Sequence, residues 1–168
     1  MFDGILQTIS QSVEDDSFWK ERLAQTKSKN PVGIHLAILV EPYLEFILEG
    51  KKTVESRFSV NRCAPYNQIF TDDIILLKKS GGPIVGISSV KDVWYYRLDP
   101  KSWKSIRKEF TQVLCAQDPE FWHKRQHTSY ATLIRLKNPR TINPVNINKR
   151  DRRGWVVLKK REAQMVLM

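Results

Sequence analysis

An α+β fold is predicted: a small β-barrel of five or six short strands, closed or half-closed, with helical insertions and an N-terminal helical extension. Two observations lead there. From Gly33 onward, short β-branched and aliphatic runs recur between turn signals. Two Asp-Pro dipeptides, helix starts by their chemistry, then interrupt those runs once. Alternation this frequent excludes a helical bundle and fits a barrel better than a βαβ sheet.

Each element follows from local chemistry. Ile5, Leu6, Ile9 and Val13 fall at helical spacing, and Phe18, Trp19 and Leu23 mark a second short helix. The stretch Thr26 to Pro31 reads as a linker, so residues 1–30 are expected to be a helical extension on a barrel domain of residues 31–168. Ile34 to Val40 is the first strand. Glu41 to Glu49 supplies one or two helical turns, with Gly50 as the residue that ends them. Thr53 to Val60 alternates, setting Val54 and Phe58 on one face and Thr53, Glu55 and Arg57 on the other. Asp73 to Lys79 and Pro83 to Trp94 form two strands around a Ser-Gly-Gly turn. Helices start at Asp99-Pro100 and at Asp118-Pro119, the latter running over Glu120 to Gln126. Tyr130 to Leu136 and Gly154 to Leu158 are the last strands, with a Pro- and Asn-rich loop between them.

Composition narrows the function. The 168 residues suit one ordinary core, and 41% apolar content with five tryptophans is enough to fold it. Residues 1–50 hold four basic against eight acidic side chains, a charge of −4. Residues 51–168 hold 24 against ten, a charge of +14. So basic a body attracts polyanions, with RNA or single-stranded nucleic acid as the leading partner. No signal peptide, membrane-spanning stretch or basic amphipathic membrane helix is read, and a cytoplasmic location is expected. Cys63 and Cys115 lie in no metal-binding pattern; a disulfide between them stays open, and free thiols are the simpler account. His123 and His127 share a zinc-like spacing but have no third ligand in the sequence, so neither metal nor cofactor is expected.

The segment Gly50-Lys51-Lys52-Thr53-Val54-Glu55-Ser56-Arg57 fits a G-x-K-x-x-E-x-R pattern. A strand and a short helix precede it, and Arg153 to Leu158 has the look of a closing strand. In these features the chain resembles the ASCH domain family, over roughly Ile34 to Leu158. The resemblance implies a PUA-like barrel with a polar cleft across its mouth, in a family usually linked to RNA. Some of its small members look like amidohydrolases acting on acylated cytidine derivatives, and others like ribonucleases. Where the amidohydrolase members carry a nucleophilic threonine, this chain has Glu55, while Lys52 matches their lysine.

Candidate site residues come from the motif and from the basic clusters. Strand geometry puts Glu55 and Arg57 about 7 Å apart on one face, with Thr53 beside them and Lys52 where the strand begins. Arginine can grip a phosphate while the carboxylate and Lys52 read a base or sugar. Lys101, Lys104, Arg107 and Lys108 recur along one helix side, and Lys149, Arg150, Arg152 and Arg153 precede Trp155. Both clusters are candidates for phosphate contacts, with Tyr130 and Trp155 as candidate stacking platforms. Three readings stay open. The chain is an RNA- or nucleotide-binding module, or a hydrolase of RNA or a modified nucleoside using Lys52 and Glu55, or an adaptor whose acidic N-terminal segment holds a protein.

Overall fold

The alternating runs from Gly33 onward assemble into one six-stranded sheet of order β2-β5-β4-β3-β1-β6. The computed structural model describes residues 2–29, 31–148 and 152–161. Its strands are β1 Ile34–Leu39, β2 Val54–Ser59, β3 Ile74–Lys79, β4 Ile84–Arg97, β5 Tyr130–Val145 and β6 Trp155–Lys159. Its α-helices are α1 Phe2–Ser12, α2 Ser17–Ala24, α3 Tyr43–Leu48, α4 Pro100–Phe110 and α5 Pro119–His123. Among the described residues only β1 and β3 pair in parallel, and the other strand pairs are antiparallel. The sheet curls into a half-barrel, and its end strands β2 and β6 face each other across an open seam that Arg57 of β2 spans to Gly154 and Ile38.

Three apolar clusters hold this shape. The N-terminal helices bury Ile5, Ile9, Val13, Trp19 and Leu23 against Ile34, Leu36, Ile74, Leu76, Ile84, Ile87 and Ile142. Each such side chain contributes roughly 1.5–3 kcal/mol of burial. The extension therefore shares its core with the sheet. Its acidic turn is used within the chain: Arg140 bonds Asp16 at 3.1 Å and Asp15 at 2.9 Å. A second cluster, including Ala37, Leu39, Ile47, Ile75, Leu77 and Ile134, fills the concave side. A third joins Val54, Ala131 and Leu133 to α4 and α5 through Ile106, Phe110, Phe121 and Trp122 on the opposite face. The Val54/Phe58 face of β2 thus packs on these helices, while Glu55 and Arg57 turn to the seam.

The structure differs from the sequence reading in two places. β5 does not end at Leu136 but runs on to Val145 through Pro139 and Pro144. Beyond Arg135 it pairs with β4 alone, so prolines lacking an N–H are tolerated on its open side. Asn138 takes a positive φ of 51° where the register shifts, and Ile142 is drawn into the core. The helix expected over Glu120 to Gln126 closes at His123, with Lys124 as its cap. Among the described residues no helix is long and apolar enough to cross a membrane. Both cysteines are free thiols, Cys63 exposed and Cys115 half-buried.

Candidate nucleic-acid interface

The turn before β2 aims the motif. Gly50 ends α3 with a φ of +81°, a conformation that glycine adopts without the cost a Cβ imposes. The N–H groups of Lys51 and Lys52 return to the Phe46 carbonyl at 2.9 and 3.0 Å. Lys52 is thereby turned inward. It is 2% exposed, and its Nζ donates to the Leu114 carbonyl at 3.0 Å and lies 3.5 Å from Glu55 Oε1. Burial pulls the ammonium below the ordinary lysine value, and Glu55 offsets that pull only in part.

Glu55 is 7% exposed, with both carboxylate oxygens engaged. Oε1 accepts the Ser56 N–H at 2.8 Å, and Oε2 accepts Arg57 Nη2 at 3.0 Å. Burial pushes this carboxyl upward, but Arg57, Lys52 and the Ser56 N–H together outweigh it and hold the group below the usual carboxylate range. Arg57 crosses the seam. Nη1 donates to the Gly154 carbonyl and Nη2 to the Ile38 carbonyl, both at 3.0 Å, and the guanidinium lies 5.2 Å from the centre of the Trp155 ring. Its buried Nε–H has no partner among the described residues.

Around these groups lies a 290 Å³ cavity, lined by Lys52, Glu55 and Arg57, by residues Ile38 to Val40, and by Tyr43, Phe58, Phe121 and Arg125. Arg125 is half-buried, 3.8 Å over the Phe121 ring, and donates to the Phe121 carbonyl at 2.8 Å. Burial lowers its pKa, yet an arginine stays charged at neutral pH. Three cations and one carboxylate leave the cavity at +2. A larger hollow of 760 Å³ between α1 and α2 gathers no comparable charge, with exposed Asp3, Lys20 and Lys27 at its rim.

The expected site residues divide. Lys52, Glu55 and Arg57 meet in the cavity, whereas Thr53 is exposed ahead of β2 and outside the lining. Lys101, Lys104, Arg107 and Lys108 are exposed on α4, and none lines the cavity. Arg152 and Arg153 are exposed just before Gly154; Lys149 and Arg150 lie outside the described residues. Tyr130 is half-buried at the far end of the seam. Trp155 is no open platform: it is 4% exposed, Arg57 covers it, and its indole N–H donates to His35 Nδ1 at 3.1 Å.

That last bond orders a buried chain. Indole can only donate, so His35 Nδ1 accepts and Nε2 carries the proton given to Asp73 at 3.0 Å. Asp73 also accepts the Gly33 and Phe70 N–H groups and Arg161. Sequence reasoning passed over Tyr43, Phe121 and Arg125. The Phe121–Arg125 pair had a usable signal in its one-turn spacing, read there only for its histidines. Among the described residues no three His, Cys, Asp or Glu side chains cluster as metal ligands.

Comparison with known proteins agrees with this fold. The sequence matches the profile of the ASCH domain over residues 38–146, from β1 through β5. The fold is similar to that of ASCH from Zymomonas mobilis, with a TM-score of 0.60 at 16% identity, covering 80% of this chain and 93% of that one. A serine-to-alanine variant of the Zymomonas protein gives 0.60 at 16% identity, over 80% and 94% of the two chains. No curated protein matches the sequence significantly.

Proposed function

This chain belongs to the ASCH domain family, and from that premise we propose that its seam cleft binds RNA or a nucleotide-like ligand. The observation that carries the reading is the convergence of Lys52, Arg57 and Arg125 with a single carboxylate in a cavity walled by Tyr43, Phe58 and Phe121. A +2 cavity with aromatic walls suits a ligand that is anionic at one end and flat at the other. Arg125 has donors to spare for a phosphate, since among the described residues only one bond ties its guanidinium to the chain. The +14 body of residues 51–168 adds a field that draws polyanions in.

A hydrolytic reading keeps the same cleft and makes Lys52 and Glu55 its working pair. Binding is the better supported of the two, because Glu55 accepts hydrogen bonds at both oxygens and is held below the usual carboxylate range, which weakens it as a base.

The test is fluorescence anisotropy with a labelled single-stranded RNA over a salt series, with RNA integrity followed by gel. Affinity is expected to fall linearly on a log-log plot against salt, and Arg125→Ala is expected to make the slope shallower by about 0.7, the share of one phosphate contact. Salt-independent binding, or an unchanged slope in the variant, refutes the reading. Cleavage that disappears in Glu55→Gln moves the protein to the hydrolase class.

A further inference from the structure

Arg57 and Phe58 line two hollows rather than one. On the far side from the +2 cavity lies a second chamber of 170 Å³, bounded also by Ser59, Cys63, Thr132, Gly154 and Trp155. Strand register places the two in line. Arg57 sits opposite Thr132, which sits opposite Tyr95, and two residues further along Ser59 sits opposite Tyr130. Cross-strand neighbours share a face, so the surface that carries Glu55 and Arg57 continues through Thr132 to Tyr130. Two residues of strand cover about 7 Å, comparable with one step of an extended nucleotide strand.

The segment between β2 and β3 walls the second chamber through Cys63, Ala64 and Pro65. Next to that lining, outside it, the Tyr66 ring lies 5.1 Å from Tyr130, and the Arg62 guanidinium lies 5.4 Å from the centre of the Tyr130 ring. Tyr66 and Tyr130 are half-buried and Arg62 is exposed. Tyr66 also packs edge-on against Tyr95 at 5.5 Å and is tied through it to the second apolar cluster, whereas Tyr130 belongs to none of the three. Arg152 and Arg153 stand exposed directly before Gly154, adding positive charge at the rim.

We propose that this second chamber, together with the tyrosine pair beside it, is a nucleotide subsite, so that the seam holds two consecutive nucleotides of single-stranded RNA, one on each side of Arg57. The first base lies in the cavity of Lys52, Glu55 and Arg125. The second stacks at Tyr130 and Tyr66, and Arg62 faces its phosphate. The class of ligand is then an oligonucleotide of two or more units, not a free nucleoside. This rests on the binding reading above and goes past it by setting Tyr130 with Arg62 and Tyr66 in a second subsite.

Two measurements on the full chain test the subsite. In the first, 5′-phosphorylated mono-, di- and tetranucleotides are titrated into wild type and Tyr130→Ala. The dinucleotide is expected to bind wild type at least tenfold tighter than the mononucleotide, with Tyr130→Ala removing that advantage and leaving mononucleotide affinity unchanged. The second needs no variant. Cys63 lines the second chamber and is exposed, so its alkylation rate, followed by peptide mass spectrometry, is expected to fall with saturating tetranucleotide and not with mononucleotide. Equal affinities for mono- and dinucleotide, or an oligonucleotide that binds and leaves Cys63 alkylation unslowed, overturn the second subsite and spare the first. No binding of any probe to wild type overturns both.

Discussion

Replacing Arg57 with alanine is expected to loosen the seam as well as the cleft, and the size of the effect follows from its contacts. The guanidinium makes three bonds of 3.0 Å, to the Gly154 carbonyl, the Ile38 carbonyl and Glu55 Oε2. Hydrogen bonds to a charged group contribute roughly 1.5–3 kcal/mol each when well shielded. The Arg57 side chain is 22% exposed and its three bonds share one group, so they do not add in full. About 3 kcal/mol is a reasonable total, which for a chain of this length lowers Tm by roughly 6–12 °C. The loss should be local first. Ile38 N–H donates to the same Gly154 carbonyl at 3.0 Å, so its hydrogen exchange is expected to quicken in the variant. Arg57→Lys should fall between the two, because an ammonium keeps the charge but cannot span three acceptors with a planar fork. Thermal unfolding by circular dichroism and exchange at Ile38 decide it. A variant within about 2 °C of wild type, with Ile38 exchange unchanged, refutes the clasp.

Two further expectations come from the ionisable groups. Glu55 and Asp73 both sit below their ordinary values of 4.5 and 3.8 in the fold, each because its charge and hydrogen-bond partners outweigh burial. Their contribution to stability is therefore complete above those ordinary values and is lost as pH falls through the lowered ones. The urea midpoint should drop between pH 6 and pH 3, and drop less in Glu55→Gln; an equal drop in both proteins refutes the assignment. Tyr95, raised to about 12 mainly by burial, should ionise late in a titration at alkaline pH followed by absorbance, and Tyr95→Phe should remove that late step.

Much of the fold was legible because the relevant signals are local. Period-two alternation in β2 set Val54 and Phe58 against Glu55 and Arg57, and the structure keeps that division, sending the first pair to the helices and the second to the seam. The Asp caps of α4 and α5 each accept a backbone N–H, as Asp-Pro starts imply. The second half of β5 was not legible. Pro139 and Pro144 read as loop, and only the sheet reveals that β2 has ended there and left that side unpaired.

The site was harder to read than the fold, for a reason particular to an incompletely closed barrel. A polar strand face has the same sequence pattern whether its groups meet solvent, a ligand or another strand across a gap. Arg57 reads as a phosphate grip, yet two of its three bonds run to carbonyls of β1 and of the residue before β6. Those acceptors are backbone atoms, and no side-chain pattern announces them. Trp155 reads as a stacking platform, but its indole N–H goes to His35, whose other nitrogen serves Asp73. That chain joins three separate strand regions and is invisible to spacing. The motif therefore does two things with one set of charges. Arg57 fastens the seam while its charge faces the cavity the seam encloses, so ligand that competes for its donors must also relax the clasp. Coupling of that kind makes the Ile38 amide a reporter of binding as well as of stability, since a ligand that draws Arg57 away should quicken exchange there even as it protects the rest of the sheet.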